Sequence, residues 1–490
     1  MRFRASWALA LGALATLLPG CATLRSAPTT ESEAQPWYEI ETAHFRIRTN
    51  AELPTALQTA RGLERHRRAL LLIWGEHFDP PGQLEVVVLR DSEQLSEFAD
   101  APVAAYMTLL PTGWQVVMAA KYPSESLAQV ELHELAHYLS RYILLRQPRW
   151  LSEGLASYLQ TIEVKDDSVE AVIGRAPLPL LQYIRGHDVL SLADLWSGSA
   201  TSESRPALYA SSWLWVHFLI NQQGARFNDF LNRLASAEEP RSAWNAAFTG
   251  VPSQALERGV RSYVGREHFP VRSLLMPPVA PQLTHTVMDE AEIHVTRARL
   301  YLTGRKSISA NQRRELVLNE VAQALRHNPQ SASARVLEGE LATGRSNRLA
   351  IANELTRSKP QEPRAWSFFA RSLHGEDENF PDLEQMLETG AKVAAQDHWV
   401  LNQLAAYHAA HGAPERGLEA ATRAVQLAPW SAPILETYAA ILAGVGSCGE
   451  AVATQKRAMQ LLDEYAPDDV KRGYEDQLGN YEQHCTANFP

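Results

Sequence analysis

The chain has 490 residues, 45% of them hydrophobic and 21% charged, and a net charge of −10. That length suits about three domains, and the composition is that of a soluble globular protein with ample apolar material for large cores, which excludes a fibrous or disordered chain. The acidic balance argues against nucleic acid as a partner.

Taken from its start, the sequence opens on Arg2 and Arg4, then an apolar run from Trp7 to Leu18. The run is too short for a comfortable membrane span. It ends Leu18-Pro19-Gly20-Cys21, which resembles the lipobox of bacterial lipoproteins. The resemblance implies a lipoprotein signal peptide over 1–21, cleaved before Cys21, with lipid on Cys21 as a membrane anchor. Ala22 in place of an aspartate then implies the outer membrane, facing the periplasm. Pro19 departs from the usual box, so plain secretory cleavage or an uncleaved anchor are the other readings. Residues 22–36 are rich in Ser, Thr, Ala, Pro and Glu and read as a flexible tether.

A first folded domain is expected over 37–267. Ala43 to Arg48 alternates as a strand does, Thr55 to Trp74 has helical spacing, and Leu84 to Leu89 (LEVVVL) is a short buried strand. Trp114 to Ala119 (WQVVMA) is another strand, after the turn residues Pro111-Thr112-Gly113. Next comes His133-Glu134-Leu135-Ala136-His137. Residues four apart on a helix share a face, so both imidazoles can turn toward one cation. Glu134 stands beside them to take a proton from a water, as in the H-E-x-x-H zinc signature. Ser126 and Gln129 offer a capping box for this helix. Trp150-Leu151-Ser152-Glu153-Gly154 follows Pro148, a favoured first-turn residue. A second helix there brings Glu153 back over the histidines as a third ligand and leaves a fourth position open.

The two motifs in this order resemble those of the gluzincin metallopeptidases, in which a glutamate from the next helix completes the site. WLSEG looks like the WLNEG of the aminopeptidase-N-like family. HELAH followed by WLSEGLASY is closer to bacterial peptidase-MA-like domains, whose connection is shorter. The resemblance implies an α+β zincin-like domain, a small mixed sheet plus helices. It also implies one catalytic Zn2+ on His133, His137 and Glu153, with Glu134 as general base. In that family the strand ahead of the zinc helix is the sheet edge on which an extended peptide docks. Trp114 to Ala119 is expected either in that place or as a plain structural strand. The aminopeptidases keep a glutamate near it, but residues 112–121 contain no acid, so an endopeptidase fits better than an aminopeptidase. Tyr209, near the start of the strongly helical Ala207 to Leu219, matches the tyrosine that donates to the oxyanion in the aminopeptidase-N-like enzymes. Its other reading is a half-buried aromatic that spends its hydroxyl on the backbone. His217, about two turns on, reads as packing. Ser157 stands where some gluzincins place an aspartate, so the residue orienting a ligand histidine is unidentified.

Prolines 270, 277, 278 and 281 mark 268–285 as a linker or strap. Residues 286–466 are helical in pattern. The windows 398–431 and 432–465 match at Leu401 and Leu435, Ala405 and Ala439, Gly417 and Ala451, Ala424 and Ala458, with Pro429 at a terminal position. This looks like tetratricopeptide repeats. Residues 314–340 and 363–396 resemble further, degenerate copies; a non-repeat helical bundle is the other reading. Residues 467–490 form a C-terminal helix or tail. Cys448 and Cys485 are an even pair for an oxidising compartment, either bridged or as two free thiols.

These readings give a lipid-anchored zinc metallopeptidase of the bacterial cell envelope, acting on a peptide or protein substrate, with a protein partner at its repeats. The competing reading is a non-catalytic lipid-anchored scaffold that recruits partners through the repeats.

Overall fold

The computed structural model describes residues 36–75, 79–100, 103–122, 126–164, 170–197, 205–266, 268–304, 307–373, 380–462 and 466–487. The expected signal, Cys21 and nearly all of the tether lie outside the described residues. Among the described residues, no helix is long and apolar enough to cross a membrane.

The α/β part begins with β1 (Tyr38–Glu41), β2 (Phe45–Thr49), α1 (Leu53–Trp74), β3 (Leu84–Leu89), α2 (Ser92–Leu95), β4 (Ala105–Leu110) and β5 (Gly113–Ala119). It continues with α3 (Leu127–Ile143), α4 (Arg149–Leu159), β6 (Glu163–Val164), β7 (Glu170–Ile173), α5 (Leu178–Gly186), α6 (Leu192–Ser197), α7 (Arg205–Gln222), α8 (Gly224–Ala235), α9 (Pro240–Ala247) and α10 (Ser253–Val264). Two later strands, β8 (Arg272–Leu275) and β9 (Thr284–Val287), complete two sheets among the described residues. One is six-stranded and mixed, in the order β4-β5-β3-β2-β1-β9; the other is β6-β7-β8. β3 runs parallel to both β2 and β5. Its apolar run from Val86 to Leu89 suits a strand covered on both faces. Val86 and Val88 pack with Val116, Met118, Leu132, Leu135 and Leu139 on the side of α1 and α3. Val87 and Leu89 point to the opposite face, as the period of two requires, and meet Val117, Phe98 and Leu300.

Two alternatives left open by the sequence are decided here. Trp114 to Ala119 is not the sheet edge: β5 lies between β4 and β3, and β4 is the edge. The hairpin turns at Pro111 and Thr112, and Gly113 takes φ 135°, a region that glycine enters freely. AYMTLL in β4 lacks clean alternation, which hid this strand. The proline-rich stretch is also tied down at both ends. β8 pairs with β7 and β9 with β1, so it acts as a strap and not as a free linker.

The remainder is helical: α11 (Glu290–Thr303), α12 (Ala310–His327), α13 (Ala332–Leu341), α14 (Arg345–Ser358), α15 (Pro363–Ser372), α16 (Leu383–Val393), α17 (His398–Ala410), α18 (Pro414–Leu427), α19 (Ala432–Gly444), α20 (Cys448–Leu461) and α21 (Asp468–Ala487). They pack as successive hairpins, α11 with α12, α13 with α14, α15 with α16, α17 with α18 and α19 with α20, and α21 closes on α20. The windows read from sequence begin at the first residues of α17 and α19. Gly417 shows why small residues recur there: a Cβ would stand 2.6 Å from Ile441 and 3.2 Å from the Ala405 carbonyl.

The helical part is not hung on a hinge. Leu300 of α11 is fully buried in the outer face of the sheet. Trp430 packs edge-on against Trp114 and Tyr142, with centroids at 5.8 and 4.7 Å. The indole of Trp399 donates to the Pro111 carbonyl at 3.0 Å, gripping the β4–β5 turn.

Candidate metal centre

α3 carries the first two candidate ligands. Ser126 caps its start by accepting from the Gln129 amide, and Val130, Leu132, Leu135, Ala136 and Leu139 bury one side of it. His133 and His137 lie on another face, four residues apart, with their Nε2 atoms 3.2 Å from each other. α4 starts at Arg149, with Pro148 as the residue before its first turn, one position from the expected place. Trp150 anchors it, wholly buried among Trp196, Phe230 and Trp244. One turn later Glu153 faces back to the histidines. Its Oε2 lies 3.5 Å from His137 Nε2 and 3.7 Å from His133 Nε2.

These distances bear on which cation the donor set suits. Ligands about 2.0–2.2 Å from a tetrahedral zinc stand about 3.4 Å from one another. The three separations of 3.2, 3.5 and 3.7 Å match that spacing. The lone pairs match it too. His133 Nδ1 donates to Gln160 Oε1 at 2.7 Å, and the His137 Nδ1 lies 3.1 Å from Ser152 Oγ. With Nδ1 of each ring engaged from behind, Nε2 is the nitrogen each ring turns toward a cation. Glu153 Oε2 is buried without a hydrogen-bond partner. Three potential ligand atoms therefore converge on one point. Burial alone would raise the Glu153 carboxyl, but the two imidazoles outweigh it and hold it well below the usual carboxylate range. Burial works against a charged His133; Glu153 and Glu134 prevail and raise it.

α7 completes the site. Its middle, Ala210 to Leu219, is buried on every face, as suits a helix whose apolar residues go most of the way round. It crosses α4 at Gly154, where a Cβ would fall 2.5 Å from the Ser212 carbonyl. That close approach brings the Tyr209 ring to 6.3 Å from His133. Burial, then the charges of Glu153 and Glu134, push the Tyr209 phenol above its ordinary value. Glu134 is itself buried and acts electrostatically on both His133 and Tyr209.

The fold thus brings together His133, Glu134, His137, Glu153 and Tyr209. Sequence reading missed Gln160 and Ser152 as the partners that orient the histidines. Ser152 sits inside WLSEG, and Gln160 lies seven residues after Glu153, about two turns along the same helix direction. Ser157 is buried in α4 and is not among the hydrogen-bond partners of either histidine. His217 is fully buried and packs as read, bonded to Tyr263 Oη and the Gly174 carbonyl, both at 2.9 Å. Cys448 is disulfide-bonded; the side chain of Cys485, in α21, lies outside the described residues. Two further His/Glu groupings occur among the described residues. Arg416 neutralises Glu384 and Glu388 at 2.5 and 2.9 Å, and His294 of the other grouping is bonded to Glu320 at 2.6 Å.

No protein-family model matches the chain, and no curated protein matches it. Solved structures similar to it include a thermophilic TPR protein of Thermus thermophilus, at 17% identity and TM-score 0.27 over 39% of this chain and 99% of that one. The MamA protein aligns at 11% identity and TM-score 0.26, over 38% of this chain and 96% of its own. The TPR domain of P58(IPK) aligns at 10% identity and TM-score 0.23, over 72% and 93%. Scores this low support no conclusion about shared function.

Proposed function

We propose that this chain is a zinc-dependent metallopeptidase of the gluzincin type, held in the bacterial cell envelope by lipid on Cys21. One observation carries the reading: two imidazole Nε2 atoms and the unpartnered Glu153 Oε2 converge at zinc-like spacing, with both histidines oriented from behind by Gln160 and Ser152. His133, His137 and Glu153 would hold the metal, which supplies Lewis-acid activation of a water and a carbonyl when bound. Glu134 takes the proton from the attacking water and later delivers it to the leaving amine. Tyr209 keeps its phenolic proton and donates it as a hydrogen bond where negative charge develops on the scissile oxygen. Among the described strands β4 has only β5 beside it, which leaves backbone groups on its outer side for an extended peptide to pair with. Residues 112–121 lack an acid that would hold a free amine, which supports an endopeptidase.

The helical hairpins favour a second reading, a scaffold that holds protein segments on its stacked repeats. Glu134→Gln separates the two. The expected result is a folded protein that keeps one zinc per chain and loses peptide hydrolysis by at least about a hundredfold. The measurements are metal analysis and digestion of an unbiased peptide library. Full rescue of a deletion strain by Glu134→Gln would assign the function to the scaffold.

A further inference from the structure

Between the sheet and the helical hairpins lies a cavity of about 810 Å3, away from the three metal-binding side chains. Its charges do not cancel. Arg46, from β2, is paired with Glu41 at 3.2 Å, and Arg364, from α15, with Glu292 at 3.3 Å. Of the acids on the wall, Asp79 is taken by Arg67. Asp397 caps α17 by accepting from the Trp399 and Val400 amides, both at 3.0 Å. Glu85 lies 4.0 Å from Arg48. Among the described residues, two on the wall are left with their positive charge unmatched. Arg423, from α18, reaches only the neutral amides of Gln396 and Gln426, at 2.6 and 3.2 Å. Arg299, from α11, is only 8% exposed, and its Nε has no hydrogen-bond partner among the described residues.

A guanidinium that cannot lose its proton and is removed from water needs an anion or a full set of acceptors. Glu340 and Glu85 act on Arg299 only from beyond ion-pair distance, and Arg364 and Arg48 oppose them. Burial, with those neighbouring cations, depresses the Arg299 guanidinium below its ordinary value. The volume is that of a small-molecule site, and the wall combines a buried fork of donors with the aromatic surfaces of Trp114, Tyr142 and Trp430.

We propose that this cavity binds a small anion carrying carboxylate or phosphate groups, gripped by Arg299 and Arg423. The ligand bridges the sheet and the hairpins, since Arg299 comes from the helix that covers the sheet and Arg423 from the later hairpin α17/α18. The site is independent of the peptidase reading, because none of the metal-binding side chains forms its wall.

The test is calorimetric titration of the full chain with sodium phosphate and, separately, sodium succinate, at ionic strength held constant with sodium chloride. The expected result is one saturable site for at least one probe, weakened about tenfold or more by Arg299→Met through loss of charge-assisted hydrogen bonds. Arg423→Gln weakens it severalfold and carries the test alone if Arg299→Met does not fold. A phosphate-only or succinate-only response supports the site and assigns its chemical class. Heats no different from the chloride control, or binding unchanged by both substitutions, overturn the proposal.

Discussion

Gln160 and Ser152 decide which nitrogen each candidate ligand histidine offers. Their own side chains never reach the metal position, yet they fix the two rings in place. Replacing Gln160 with Leu removes the acceptor at His133 Nδ1 and frees that ring to turn and to change tautomer. The expected outcome is zinc affinity lower by about 10–100-fold, measured by competition with a chelator of known affinity, with secondary structure unchanged. At this scale the sequence was informative about which side chains share a face, because four-residue spacing on a helix is a local property. The orienting residues were less legible. Gln160 becomes a partner only when α4 is laid across α3, and an exposed glutamine looks the same as a working one in sequence. The partners of Arg299 were not legible at all. Its burial follows from the docking of α11 on the sheet, and no local pattern records that.

At the scale of elements, the hairpins owe their register to small residues at crossings and their pairing to a few buried ions. Glu320, from α12, accepts from His294 at 2.6 Å and Arg297 at 3.0 Å, both on α11. Burial would raise its carboxyl; the bond to His294 and the charge of Arg297 outweigh burial and hold it below the usual range. A depressed folded value means that Glu320 contributes stability above the ordinary glutamate pKa, about 4.3, and loses it as pH falls through the folded value. Glu320→Gln is expected to lower stability at pH 7 by about 3 kcal/mol, as for one partner removed from a buried ion pair. The gap to wild type should close when pH 7 is exchanged for a pH low enough to protonate the folded carboxyl. Urea unfolding of both proteins at the two pH values checks this; a gap that stays constant would remove the carboxylate from the account. Helix types and the frames at 398 and 432 were readable because both rest on periodicity within one segment. The sheet edge was not. β4 carries no clear alternation, and its place outside β5 is set by pairing across a two-residue turn.

For the whole molecule, the boundary drawn at residue 267 divides something the fold keeps joined. β9 lies at the end of the main sheet beside β1, and Leu300 closes the outer face over Trp37, Val87, Leu89 and Val117. A chain cut after residue 267 exposes that apolar face and leaves β1 as an open edge. It is expected to aggregate on size-exclusion chromatography, whereas one extended to residue 327, with α11 and α12, runs as a monomer. Equal behaviour of the two would show that the covering helix is dispensable. The same pairing of β1 with β9 also sets an order of events. The two strands meet across about half the chain, and a contact that closes so long a loop forms late. The hairpins need only neighbours in sequence and can form early. During synthesis the first strand to emerge must therefore wait, unpaired on one side, until the strap and the helix behind it arrive. The candidate metal centre is built on a sheet whose last strand and outer cover come from the strap and from α11, behind it in sequence.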